Sequence, residues 1–176
     1  SLGMRAAGQA AFAEQARELA RAEGLAGERV HFNEDWVPYA ERGAWLAESD
    51  LGVSAHHDHL EARFSYRTRI LDYLWAGLPV VTSRGDALGD LVEAKGLGRA
   101  APPGDVDGFA AACADLLNAK SEYAAAKHEI EQLRPTLTWS EVTRPLVDWC
   151  GRIHELPPRR PRKDVLRRAA RAQYAR

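Results

Sequence analysis

Residues 50–81 read DLGVSAHHDHLEARFSYRTRILDYLWAGLPVV, and this stretch decides the fold. It contains two short apolar runs, Leu51 to Ala55 and Leu78 to Val81, which are typical of buried strands. Between them, Tyr66 to Ala76 carries apolar residues at helical spacing, and Gly77 is suited to end that helix. Two strands joined through a helix predict a parallel βαβ unit.

The rest of the chain repeats this alternation of helices and strands. Asp105 is a suitable N-cap for one helix, and Pro145 is expected to kink or restart another. Four strands alternating with helices predict an α/β layer fold. Further helices are predicted over residues 8–23, 39–48, 87–95, 106–117, 121–133 and 138–154, and further strands over 30–32 and 99–101.

The composition excludes several classes of protein. The net charge of −1 arises from an acidic body and a basic tail that begins at Arg159, so we expect no nucleic-acid binding by the body. No apolar run is long enough to span a bilayer and no signal peptide opens the chain, which favours a cytoplasmic location. Cys113 and Cys150 lie alone in apolar contexts, which predicts buried thiols.

The tail divides the chain into a body of residues 1–156 and a basic segment of residues 157–176. Residues 165–174 could form a short basic helix that contacts anionic lipid at the inner face of a membrane. The alternative is a solvated end without a partner.

An anion site is predicted where the central helix begins. Ser65 is a suitable N-cap, and the amides of Tyr66, Arg67 and Thr68 would then be free to bind phosphate. Arg67 and Arg69 add positive charge suited to the same ligand. The alternative is an ordinary capped helix with solvated arginines.

Two acids flank this helix start. Asp72 lies one turn inside the helix and Glu61 lies in the preceding loop, so each could hold ligand hydroxyls while the amides hold phosphate. Alternatively they form ordinary ion pairs, in the case of Asp72 with Arg69 or Arg67.

The histidines at positions 56, 57 and 59 invite a metal hypothesis together with Asp58. A closed metal site needs three or four ligands, and the sequence offers no second ligand cluster. We therefore expect no metal, but a polar loop in which one histidine, His57 or His59, contacts the substrate. No pattern for a covalent nucleophile is present.

Two runs of residues resemble a known family: WVPYAERGAWLAESDLGVSAHHDHLEARFSYRTRILDYLWAGLPVVTSRGD and GLGRAAPPGDVDGFAAACADLL. They are similar to the C-terminal half of GT-B glycosyltransferases, family 4-like, and most similar to bacterial members. The likeness covers about Gly3 to Leu117. It implies a Rossmann-like parallel sheet with flanking helices that lacks its first strand.

The resemblance also implies roles for particular residues. The family's motif has two glutamates, of which the second, a ribose ligand, is Asp72 here. The first falls at Phe64, so Glu61 is the nearest acid for a catalytic or sugar-contacting role. The segment from Ser65 to Thr68 matches the phosphate-binding turn. The region that meets the nucleotide base matches Asn33, Trp36 and Val37.

The implied function is donor binding in a hexosyltransferase. The donor would be a nucleotide-diphosphate sugar of the UDP or GDP type, used without a metal or other cofactor, and the acceptor a saccharide or lipid-linked saccharide of the cell envelope. An N-terminal acceptor domain would be needed, so we expect this chain alone to be inactive. The absent first strand would leave residues 51–55 with an unpaired edge for self-association. A non-catalytic interaction module is the alternative, favoured by the missing first glutamate.

Overall fold

The computed structural model of the chain describes residues 9–33 and 35–155. They fall into two compact units, divided between Glu131 and Gln132. The first unit contains the sheet and most of the helices. In chain order its elements are α1 Gln9–Ala22, a 3-10 turn Tyr39–Glu41, α2 Arg42–Ala47, β1 Gly52–Ser54, α3 Leu60–Phe64, α4 Thr68–Ala76, β2 Val80–Ser83, α5 Ala87–Ala94, β3 Gly98–Ala101, α6 Val106–Asn118 and α7 Lys120–Leu133, which ends just past the division.

The described strands form one open parallel sheet in the order β1-β2-β3. Gly52 is in register with Val80, and Val81 with Arg99. The central strand β2 is buried throughout, as expected for a parallel sheet covered by helices. The sheet with its flanking helices is a Rossmann-like α/β domain, as the sequence predicts.

The core forms where helices pack against β2. Val81, Ala112 and Leu116 form a buried cluster, and Phe109 and Tyr123 pack against its rim. This arrangement follows from the apolar spacing of α6, which turns Ala112 and Leu116, four residues apart, toward the sheet.

Tyr73 joins α4 to the edge strand β1. Its hydroxyl donates a hydrogen bond to the Val53 carbonyl at 3.1 Å. Burial raises the pKa of the Tyr73 phenol, so it remains a donor over the ordinary pH range. The contact fixes β1 beside the helix that carries the candidate site.

Gly98 allows β3 to approach β2 closely. Its φ is +150°, and a Cβ at this position would lie 1.9 Å from the carbonyl oxygen of Val80. Only glycine fits this backbone without a shift of the strand.

The strand predicted over residues 30–32 is absent. Val30 forms only an isolated bridge with Ala26, and the amides of Glu28, Arg29 and Val30 all point to the Leu25 carbonyl. The segment is therefore a tight loop whose backbone groups bond locally, which leaves three strands in the described residues instead of four.

The second unit contains α8, which spans Trp139–Gly151, between 3-10 turns at Arg134–Leu137 and Ile153–Glu155. The helix continues through Pro145, so the expected restart does not occur. Cys150 is exposed on this helix, which corrects the prediction of a buried thiol. Cys113 is partly buried, and burial raises the pKa of its thiol.

No helix among residues 9–33 and 35–155 is long and apolar enough to cross a membrane. The basic tail of residues 157–176 lies outside the described residues, so its helix, its lipid contact and the boundary at residue 156 stay predictions.

Candidate functional site

The carboxyl ends of β1 and β2 meet at one edge of the sheet. The backbone N–H of His56, two residues beyond β1, donates to the hydroxyl of Ser83, the last residue of β2, at 3.1 Å. Ligands of open α/β sheets bind at this edge, where the strands end and the following helices begin. The groups that follow these two strands therefore form the candidate site.

The loop predicted between β1 and the central helix contains a short helix, α3. His59 caps it by accepting a hydrogen bond from the Ala62 amide at 3.2 Å. Ser65 ends this helix, and its hydroxyl donates to the Glu61 carbonyl at 2.8 Å. Ser65 is thus not the N-cap of the central helix, because its hydroxyl is already engaged by the preceding turn.

The central helix α4 begins at Thr68, with Arg67 at the N-cap position. The Thr68 amide donates to the Tyr66 carbonyl at 2.9 Å. The amides of Tyr66, Arg67 and Arg69 make no hydrogen bond to any other part of the chain that the structure describes. Three donors are therefore available at a helix start, where the helix dipole also favours an anion.

Arg67 is fixed by a buried carboxylate that follows β2. Its Nε donates to Oδ2 of Asp86 at 2.8 Å. Oδ1 of Asp86 accepts the amides of Leu88 at 2.9 Å and Gly89 at 2.8 Å, and so caps α5. Within the described residues, the two terminal nitrogens of Arg67 have no hydrogen-bond partner, and the Arg67 side chain is 23% exposed.

His56 completes this cluster. Its side chain is 4% exposed, with Nδ1 placed 3.1 Å from the His57 carbonyl and Nε2 placed 3.4 Å from Asp86 Oδ2. A carbonyl only accepts, so we assign the proton of this contact to Nδ1. Nε2 is buried and lacks a hydrogen bond among the described residues.

Asp72 is held by an arginine from a different helix. Nη1 of Arg42, the first residue of α2, donates to Asp72 Oδ2 at 2.8 Å. The Arg42 guanidinium also lies 4.8 Å from the centre of the Tyr39 ring, as a cation–π contact. The alternative pairing of Asp72 with Arg67 or Arg69 is not observed, and Arg67 is bound to Asp86 instead.

Most of the remaining predicted site residues lie at the surface. Glu61 and His57 are exposed, and Phe64, at the position of the missing glutamate, is 83% exposed. In the loop before α2, Trp36 is 65% exposed, while Asn33 and Val37 are partly buried. No ligand contact tests the roles of these side chains, which stay predictions.

The histidine segment forms no metal centre in the described part of the chain. No group of three or more His, Cys, Asp or Glu side chains there is arranged to hold a metal ion. The side chain of His59 is instead used as a helix cap, and Asp58 pairs with Arg63 at 3.6 Å.

Three residues of the candidate site were not predicted from the sequence. Arg42 lies 30 positions from Asp72 and gives no local signal of the pairing. Asp86 could have been found, because it follows the second strand of the βαβ unit and precedes a helix. His56 was noted only as part of the histidine segment, although it is the histidine nearest the end of β1.

Comparison with known families identifies the family to which this fold belongs. A family model described as glycosyl transferases group 1 matches residues 4–119, well over half of the chain. The chain belongs to the group 1 glycosyltransferases. Neither the curated proteins nor the solved structures gave a significant match.

Proposed function

We propose that this chain is the donor-binding domain of a GT-B, family 4-like glycosyltransferase and binds a nucleotide-diphosphate sugar. The observation that carries the proposal is the start of α4, where three free amides and the terminal nitrogens of Arg67 stand beside the ends of β1 and β2. Amides at a helix start and a guanidinium fork are the groups that proteins use for phosphate. The family membership supports glycosyl transfer as the reaction.

In the proposed reaction, the bond between the sugar and the diphosphate breaks and negative charge grows on the departing phosphate. The Arg67 guanidinium and the amides of Tyr66, Arg67 and Arg69 stabilise this charge without a metal. The hexosyl group passes to a hydroxyl oxygen of a saccharide or lipid-linked acceptor held by a second domain, and the departing phosphate takes up the proton of that hydroxyl. This chain alone binds the donor and does not turn it over.

Asp72 is proposed to hold hydroxyls of the ribose. Arg42 occupies one lone pair of Oδ2 and thereby orients the carboxylate, which leaves other lone pairs for the ligand. The side chain of Asp72 is 37% exposed, so a ligand can reach it. Glu61 is the proposed substitute for the first motif glutamate, and Trp36 the proposed contact for the base.

A non-catalytic interaction module is the second candidate. It is favoured by Phe64, whose exposed ring cannot perform the task of the first glutamate. A domain of this kind would keep the fold of the family and lose nucleotide binding.

Calorimetric titration of the chain with UDP, GDP and their sugar conjugates, with and without EDTA, tests the proposal. We expect one nucleotide to bind regardless of chelator, and Asp72→Ala to weaken binding about tenfold, the effect of one lost charge-assisted hydrogen bond. Asp115→Ala is the matched control, because Asp115 also pairs with an arginine at 2.8 Å but far along the chain from this site. No binding by the folded chain, or equal affinity of Asp72→Ala, would favour the interaction module.

A further inference from the structure

We infer that Asp86 and His56 are positioning residues, which hold the Arg67 guanidinium in place for the diphosphate of the donor. The inference rests on the proposed function, because it assigns Arg67 to phosphate. It adds two residues that neither touch the ligand nor belong to the expected site.

The Asp86 carboxylate cannot change its orientation without losing contacts at both oxygens. Oδ1 is bound by two backbone amides of α5, and Oδ2 is bound by Arg67. The side chain is fully buried, so water cannot replace these partners. Oδ2 is therefore a fixed acceptor at the end of β2.

Arg67 binds this acceptor through Nε and leaves its two terminal nitrogens directed elsewhere. Those two nitrogens form the fork that matches two oxygens of a phosphate. An arginine held in this way has lost much of its rotamer freedom before the ligand arrives, which lowers the entropic cost of binding. The same residue supplies one of the free amides at the helix start, so one position carries both kinds of donor.

His56, which follows β1, lies against the Arg67–Asp86 pair. Its ring is fixed by the contact of Nδ1 with the His57 carbonyl, while its Nε2 lies 3.4 Å from the same Oδ2 that binds Arg67. Nε2 is buried and makes no hydrogen bond among the described residues, so the ring limits the movement of the Asp86 carboxylate by its bulk. The Asp86 carboxylate thus lies against both the Arg67 guanidinium and the His56 ring.

Asp86→Asn separates positioning of Arg67 from a purely structural role of Asp86 as the cap of α5. Asparagine retains an oxygen for the amides of Leu88 and Gly89, so the helix keeps its cap. It loses the charge that holds Arg67. Electrostatics alone would make this variant bind a diphosphate more tightly, because a negative charge near the ligand is removed. Positioning of Arg67 by Asp86 predicts weaker binding. The sign of the change in affinity therefore separates positioning from electrostatics alone.

The test is a double-mutant cycle by calorimetry with UDP and GDP as probes. We expect Asp86→Asn to weaken binding of the preferred nucleotide about tenfold, and to have little further effect in the Arg67→Gln background, since Asp86 acts through Arg67. Asp105→Asn is the matched control: Asp105 caps α6 by accepting the Gly108 amide at 2.9 Å and should leave affinity unchanged. His56→Ala should weaken binding about threefold, and His56→Gln should restore part of it.

A second measurement needs no ligand. The Nε–H resonance of Arg67 should be protected from solvent exchange in the unaltered chain and lose this protection in Asp86→Asn. Unchanged or tighter nucleotide binding by Asp86→Asn would overturn the inference and leave the proposed function intact. The same holds if Asp86→Asn lowers the affinity by the same factor in the unaltered chain and in the Arg67→Gln background. Failure of the unaltered chain to bind UDP or GDP would overturn both.

Discussion

Arg67 donates a hydrogen bond from Nε to Asp86 Oδ2 at 2.8 Å, and this contact joins the start of α4 to the start of α5. The two residues lie 19 positions apart and follow different strands of the βαβ unit. Their pairing turns the start of α4 into a site with a charged group of defined orientation. A helix start with freely moving arginines would bind phosphate less well, because each side chain would have to be ordered by the ligand.

The Arg42–Asp72 pair should couple α2 to α4. Because both side chains are partly exposed, we expect a coupling free energy of about 0.5–1 kcal/mol between Arg42→Gln and Asp72→Asn. Urea denaturation of the two single variants and the double variant measures it. Strictly additive losses would show that the pair contributes nothing to the free energy of unfolding.

Gly98 should tolerate no side chain. Gly98→Ala places a Cβ against the Val80 carbonyl at a positive φ, and we expect a loss of at least about 2 kcal/mol in the free energy of unfolding. Gly43→Ala is the control, because its Cβ would meet only the Trp75 ring at 3.8 Å within a helix. That variant should gain about 0.5–1 kcal/mol. Equal stability of the two variants would refute the close approach of β3 to β2.

Truncation of the two neighbouring leucines of α6 should lower the free energy of unfolding by very different amounts. Leu116 is fully buried in the cluster with Val81 and Ala112, whereas Leu117 is 49% exposed. We expect Leu116→Ala to cost about 2–5 kcal/mol and Leu117→Ala less than about 1 kcal/mol in thermal or urea unfolding. The reverse order would mean that α6 packs on the sheet through another face.

Glu122 should titrate below the ordinary range because of Arg99. Two hydrogen bonds of 2.8 Å from the Arg99 guanidinium lower the pKa of the Glu122 carboxyl from its usual value of 4.5. Because the pKa of Glu122 is lower in the folded chain than in the unfolded chain, the pair stabilises the fold at pH values above the pKa of Glu122 in the unfolded chain. This contribution is lost as the pH falls through the folded pKa.

Carboxyl NMR titration of Glu122 checks this. Arg99→Gln should return the pKa of Glu122 toward 4.5, whereas Arg84→Gln, which removes an arginine bound to Glu93, should not change it. The associated change in the free energy of unfolding should stay below about 1 kcal/mol because both side chains are substantially exposed. A pKa that is insensitive to Arg99→Gln would contradict the assignment.

The parts of the fold that could be predicted are those with local signals. The apolar runs around residues 51–55 and 78–81 and the helical spacing between them gave the βαβ unit, and Gly77 ends α4 with φ +78°. Asp105 was predicted as a cap and accepts the Gly108 amide. The segment at residues 30–32 has apolar residues at alternate positions, as a strand would, but both backbone groups of Val30 bond to the preceding turn instead.

The parts that could not be predicted depend on contacts between distant positions. Nothing near Asp72 indicates that Arg42 will bind it, and the nearby Arg67 and Arg69 were the reasonable local choices. Arg67 is unavailable to Asp72 because Asp86 holds it from the end of β2. The failure of Ser65 as a cap has a local cause instead: Ser65 is the C-cap of α3, and its hydroxyl bonds to the Glu61 carbonyl four residues earlier.

The most direct test of the central claim is an NMR titration of the isotope-labelled chain with UDP or GDP. We expect the backbone amides of Tyr66, Arg67 and Arg69, which are free at the start of α4, to show the largest chemical-shift changes at saturation. Binding that leaves these three amides unchanged and instead shifts residues elsewhere, such as those of β3, would contradict the claim that a diphosphate binds here.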